Sequence, residues 1–294
     1  MAQVRSGSLT VRGLRSPMLS AGERSASTAA VMVHGNPGSS YDWHGMVASV
    51  GEHTRALAFD LPGFGRADKP RDFAHTVTGY AEHLGAAMDE LGVARAHLVL
   101  HDFGGPWGLA WAATHPDRVA SVVLVNTGVL VDYRWHWLAR LWQTPRLGEA
   151  VMRAGAPPWM FRALLDHGYA TRPRPPRLPR PFLDHLAHDF DADTRHAVLR
   201  LYRASAHGDG QAPALTAALR HIDCPALVVW GARDHYIGVE QAMRQRAAFP
   251  DARVVVLPGS GHWPMIDDAA TVEQLVSEFL GAQSGGEPAA AVLS

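Results

Sequence analysis

Cysteine is almost absent from this chain. Its 294 residues include one, Cys224, which excludes an intramolecular disulfide and fits a reducing compartment. Charge imbalance is missing as well: a formal net charge of −1 leaves no electrostatic footprint for a nucleic acid. No apolar run approaches the ~18 residues that cross a bilayer. The opening stretch MAQVRSGSLTVRG lacks the apolar centre of a secretory signal. A cytoplasmic address without a membrane partner is therefore expected. The paired zinc-ligand spacings H-E-x-x-H and C-x-x-C do not occur despite 17 histidines, so no metal or cofactor is expected. No internal repeat is visible, and the oligomeric state is not readable.

What remains is an ordinary globular composition, 47% hydrophobic and 19% charged, enough to bury a sizeable core. Short β-branched runs alternate with longer helix-like stretches. AAVMVHG (Ala29–Gly35), RALAFD (Arg55–Asp60), AHLVLHD (Ala96–Asp102) and ASVVLVNT (Ala120–Thr127) read as buried parallel strands, and PALVVWG (Pro225–Gly231) and ARVVVLPG (Ala252–Gly259) continue the series. Helical spacing occupies Thr76–Gly92, Gly104–Pro116, Val239–Phe249 and Asp268–Ala282. The alternation predicts an α/β, mostly parallel, doubly wound sheet with ligands at the carboxyl ends of its strands.

That rhythm breaks over Gly128–Leu219, which holds no convincing strand and reads as an inserted helical cap. The expected division is core over 1–127, cap over 128–219, core again over 220–282 and a frayed tail over 283–294. Trp135, Trp137, Trp142 and Trp159 are candidates to line an apolar cavity under the cap, or to glue it to the core. The proline-dense RPRPPRLPRP (Arg172–Pro181) reads as a rigid, extended connector.

One stretch carries chemistry. LVLHDFGGPWGLAW (Leu98–Trp111) is a strand, an x-Asp-x-Gly-Gly turn and a helix, where a capping aspartate before a glycine turn is the plain alternative. It resembles the nucleophile elbow of the α/β-hydrolase fold, with Asp102 in place of the serine of G-x-S-x-G. Three further motifs share that resemblance. His34-Gly35-Asn36-Pro37 is similar to the family's H-G-x-P loop, which implies oxyanion donors at the N–H groups of Asn36 and Phe103. GARDHYIG (Gly231–Gly238) implies the acid Asp234, and GSGHWPMID (Gly259–Asp267) implies the base His262. Asp60-Leu61-Pro62-Gly63-Phe64-Gly65 matches a largely structural D-x-x-G-x-G loop. At the alternative acid position some relatives use, the chain has Asn126, which reads as a local turn residue before Thr127-Gly128.

An aspartate at the elbow has a chemical meaning. A serine attacking a saturated carbon makes an ether that the site cannot hydrolyse, whereas an aspartate makes an ester that it can. The carboxylate is ionised near neutral pH, so Asp102 needs no base for the first step. His262, oriented by Asp234, then activates water against the ester.

Within the family, epoxide hydrolases and haloalkane dehalogenases share this arrangement. A halide needs N–H donors; Phe103 has none in its side chain, although Asn36 in HGNPGSSYDW looks dehalogenase-like. An epoxide needs an acid on its ring oxygen, and Tyr202 in RLYRAS resembles the cap Tyr-Arg motif of epoxide hydrolases, with a packing role as its alternative. Tyr133 and Tyr169 are less clear as a second acid. The expectation is a hydrolase converting a hydrophobic epoxide to a vicinal diol, contacted by Trp135, Trp142, Tyr169 and Trp263. Haloalkane dehalogenation comes next, and a non-catalytic ligand receptor on the same fold stays open.

Overall fold

The computed structural model describes residues 1–167, 178–206 and 212–284. The chain starts with a hairpin, β1 (Arg5–Val11) and β2 (Leu14–Ala21). Its two-residue turn has Arg12 and Gly13 both at positive φ, the geometry whose twist suits antiparallel strands. The sequence reading missed this hairpin. β1 lies at the sheet edge with most of its side chains in solvent, so it lacks the apolar run by which the buried strands were found.

The alternating part follows as β3 (Thr28–Val33), α1 (His44–Val50), β4 (Arg55–Phe59), α2 (Val77–Glu90), β5 (Arg95–His101), α3 (Gly104–Thr114) and β6 (Val119–Val125). Then come α4 (Trp137–Gln143), α5 (Leu147–Ala154), α6 (Pro158–His167), α7 (Arg180–Asp189), α8 (Ala192–Ser205) and α9 (Ala212–Arg220), with no strand among the described residues of this stretch. The chain returns to the sheet with β7 (Ala226–Gly231), α10 (Glu240–Arg244), β8 (Arg253–Leu257), α11 (Pro264–Asp267) and α12 (Ala269–Ser284). α10 is shorter than its apolar spacing suggested, because the backbone tightens to a 3-10 turn over Gln245–Ala247. α7 begins inside the proline-dense stretch, at Arg180, with Pro181 in its first turn, where a missing N–H costs nothing. Residues 172–177 of that stretch lie outside the described residues.

The eight strands form one sheet in the order β1-β2-β4-β3-β5-β6-β7-β8, parallel from β4 onward. Each central strand feeds two cores through its period of two. Val31, Leu98, Leu100, Val122 and Leu124 point to the face covered by α2 and α3. Met32, Val99, Val123 and Val125 point to the face covered by α1 and α12. Strands buried on both sides must be apolar throughout, which is why they were legible. The strand order reverses between β3 and β5, so the loops that leave these two strands diverge to opposite faces and open a crevice.

Candidate active site

Asp102 sits in that crevice, between β5 and α3, with φ at +48°. A non-glycine residue in the left-handed region costs about 1–3 kcal/mol and persists only where its surroundings enforce it. Two glycines permit the enforcing contacts. A Cβ on Gly35 would strike the Asp102 side chain, and one on Gly105 would strike Thr127. The Thr127 hydroxyl donates to the Asp102 carbonyl at 2.5 Å, pinning the turn from β6.

The three sequence-predicted triad residues converge. Asn36 N–H donates to Asp102 Oδ1 at 2.7 Å, and His262 Nε2 lies 3.5 Å from Asp102 Oδ2. His262 Nδ1 donates to Asp234 Oδ2 at 2.7 Å. Asp234 Oδ1 accepts from the N–H groups of Tyr236 and Ile237 at 2.7 and 2.9 Å. Phe103 stands at the N-cap of α3, so the helix dipole favours negative charge beside it.

The charges of these groups depend on one another. Burial disfavours an imidazolium, yet Asp234 and Asp102 together raise the pKa of His262 to about 10. Burial likewise opposes the Asp102 carboxylate, but His262, His101 and the Asn36 N–H hold its pKa below the usual value. At neutral pH an imidazolium thus bridges two carboxylates.

Asn126 requires a correction. It was read as a local turn residue, but its side chain spans the site. Its Nδ2 donates to Asp234 Oδ2 at 2.7 Å, and its Oδ1 accepts from Gly231 N–H at 2.8 Å. The acid is thereby tied to the end of β6 as well as to its own loop. His101 was also not assigned a role. Burial lowers its pKa to about 4, so it is neutral, and its Nε2 donates to the His262 carbonyl at 2.8 Å. Its place directly before Asp102 was the one available signal.

Above the elbow lies a cavity of about 340 Å³ between the sheet and helices α4, α5, α6 and α8. Asn36, Phe103 and Tyr202 line it, as do Trp135, Trp142 and Trp263. Tyr202 is buried at 4% exposure, and its hydroxyl accepts from Asn36 Nδ2 at 3.3 Å. Burial first, and then the Asp102 charge, push its pKa well above the ordinary tyrosine value, so it keeps its proton. Phe103 meets Tyr202 edge-on at 5.2 Å and stacks on Trp135 at 6.2 Å.

Other candidates part company here. Trp137 lines the cavity but is 60% exposed, so it stands at the rim. Trp159 does not line the cavity and is 68% exposed. The inward stripe of α6 is Met160, Phe161, Leu164 and Leu165, which leaves Trp159 on the solvent side. Tyr133 does reach the cavity, but its hydroxyl donates to the Tyr236 carbonyl at 3.0 Å. Tyr169 lies outside the described residues. His136 and Tyr236 also line the cavity and were missed. Tyr236 follows Asp234 by two positions, a signal that was there to be used, whereas nothing local marked His136.

Residues 29–269 match the alpha/beta hydrolase fold family. The chain is 26% identical over 266 residues to haloalkane dehalogenase 2 of Mycobacterium tuberculosis, covering 85% of this chain and 87% of that protein. It is 30% identical over 259 residues, 86% of this chain, to the dihydrolipoyllysine-residue acetyltransferase component of the acetoin cleaving system of Pseudomonas putida, and spans 63% of that protein's length. Among solved structures, haloalkane dehalogenase DbeA from Bradyrhizobium elkani superposes with TM-score 0.83 at 22% identity, covering 97% of this chain and 100% of that one. Epoxide hydrolase VrEH1 from Vigna radiata superposes with TM-score 0.75 at 20% identity, covering 95% and 98%.

Proposed function

Since the chain belongs to the alpha/beta hydrolase fold family, we propose that it is a hydrolase with an aspartate nucleophile, opening an epoxide to a vicinal diol. The observation that carries this reading is the Tyr202 hydroxyl. It is protonated, buried in the same cavity as Asp102, and held by an amide that donates to its oxygen. Its own proton is thereby left for an acceptor in the cavity, such as an epoxide oxygen.

In the first step an Asp102 carboxylate oxygen attacks a ring carbon, and the ring C–O bond breaks as Tyr202 supplies a proton to the departing oxygen. The product is an alkyl ester of Asp102. Its formation removes one of the two negative charges beside His262, so the imidazolium loses part of what raised its pKa and gives up its proton, which by way of solvent replaces the one Tyr202 lost. Neutral His262 then takes a proton from water. The hydroxide oxygen attacks the ester carbonyl, whose developing charge faces the N–H groups of Asn36 and Phe103. The acyl–oxygen bond breaks, the departing oxygen takes the proton of the newly added hydroxyl, the diol leaves, and one oxygen from water stays in the Asp102 carboxylate.

Haloalkane dehalogenation is the second reading, supported by two donors. Asn36 Nδ2 is one; the other is the Trp135 indole N–H, which is buried in the cavity lining without a hydrogen-bond partner. The named dehalogenase relatives point the same way. Incubation with an aryl epoxide and with a bromoalkane, measuring diol and bromide, separates the two. Diol formation without comparable bromide release is expected. Bromide without diol reverses the order. Tight binding with neither product favours a receptor.

A further inference from the structure

Among the described residues the cavity walls are apolar almost throughout, and one guanidinium interrupts them. Arg195 lies on α8, the helix that carries Tyr202, and both side chains line the cavity. Seven residues make just under two helical turns, so the two share a face about 10 Å apart along the axis. Tyr202 stands at the Asp102 end, and Arg195 therefore stands at the far end.

Nothing acidic among the described residues neutralises Arg195. Among the described residues its guanidinium makes one hydrogen bond, from Nη1 to the Phe190 carbonyl at 3.2 Å, and no ion pair. Its Nε is buried without a partner. The acid one turn earlier, Asp191, is occupied by Lys69 Nζ at 2.6 Å and by the N–H groups of Asp193 and Thr194. Gly155 lies against the guanidinium, where a Cβ would be in ordinary van der Waals contact with Arg195 Cζ at 3.4 Å. Arg195 is half-buried at the cavity wall, and a buried donor left without a partner is costly unless something completes it. The missing partner is an anion, and the planar fork of donors suits a carboxylate.

We infer that Arg195 is a distal specificity residue that holds the carboxylate of a substrate whose apolar middle fills the cavity and whose reactive carbon reaches Asp102. Resting on the reaction proposed above, this narrows the substrate class to medium-chain acids bearing the reactive group away from the carboxyl end.

The test is a binding experiment that needs no turnover. Decanoate and methyl decanoate are titrated into the wild-type protein by calorimetry. A charge-assisted hydrogen bond predicts about tenfold or more tighter binding of the acid than of the ester. Arg195→Met is expected to abolish that preference while still binding the ester, and Arg195→Lys to keep most of it. Equal wild-type affinities, or a preference that survives Arg195→Met, overturn the assignment. If Arg195→Met binds neither ligand, Arg195→Lys decides: a retained preference supports the assignment and a lost one overturns it. Failure of the epoxide reading leaves this result untouched. Diol formation without a carboxylate preference removes the distal site alone.

Discussion

Replacing His262 by Gln should split the reaction into a step that still proceeds and one that stops. Asp102 keeps the Asn36 N–H at 2.7 Å, so the carboxylate remains oriented, and work at mildly alkaline pH keeps it ionised. The second step loses the side chain beside Asp102 that takes a proton from water in the proposed mechanism, with His262 Nε2 3.5 Å from Oδ2 in the intact site. A positioned general base contributes about 10²–10⁴-fold, or roughly 2.7–5.5 kcal/mol of barrier. From a typical turnover of about 10 s⁻¹, ester hydrolysis should slow to about 0.1–0.001 s⁻¹, giving an adduct lifetime of about ten seconds to about seventeen minutes. Acid quenching after a few seconds with excess substrate, followed by mass spectrometry, reads it directly. An epoxide adds its whole mass, because ring opening releases nothing, whereas a bromoalkane adds only its alkyl group. The modified peptide must contain Asp102. An unmodified Asp102 peptide, under conditions where the wild-type protein turns over, refutes the ester mechanism.

Further outcomes follow from the same geometry. Tyr202→Phe removes the proton donor and should slow diol formation about 10²–10⁴-fold while leaving bromide release far less affected; equal losses on both substrates argue against an acid role. Asn126→Leu removes a 2.7 Å hydrogen bond to the buried Asp234 carboxylate, a loss of about 1.5–3 kcal/mol that should slow ester hydrolysis roughly 10- to 150-fold. Rates within twofold of wild type would mean that the loop N–H groups on Asp234 suffice. Burial lowers the pKa values of His75, His83, His97, His101 and His136 from 6.5 to about 4. These rings are neutral when folded and take up protons on unfolding between about pH 4 and 6.5, so stability should fall as pH drops through that window. Urea melts between pH 6 and 5 should show an uptake of about four protons from these groups, and fewer than two would contradict their burial as neutral rings.

Much of the core could be read from local pattern. Strands covered on both faces need uninterrupted apolar residues, so VASVVLV and ALVVWG announced themselves as β6 and β7. The turn at Asp102 was legible because a tight strand-to-helix connection needs small residues beside it, and the loops after β7 and β8 carried the Asp234 and His262 motifs whose side chains meet at 2.7 Å. Where burial is one-sided or polar the signal weakened, as in the edge strand β1.

By itself, then, the sequence determined the alternating core, the strand-to-helix turn that carries Asp102, and the order of Asp102, Asp234 and His262 along the chain. Tertiary structure alone decided which other side chains share their space. Asn126 meets Asp234 across 108 positions, and Asn36 meets Tyr202 across 166; Arg195 joins them only because α8 lies over the crevice. Periodicity is a short-range property of the chain that records which face is buried. It does not record what lies against that face, because that depends on how the sheet order and the cap helices fold distant segments together.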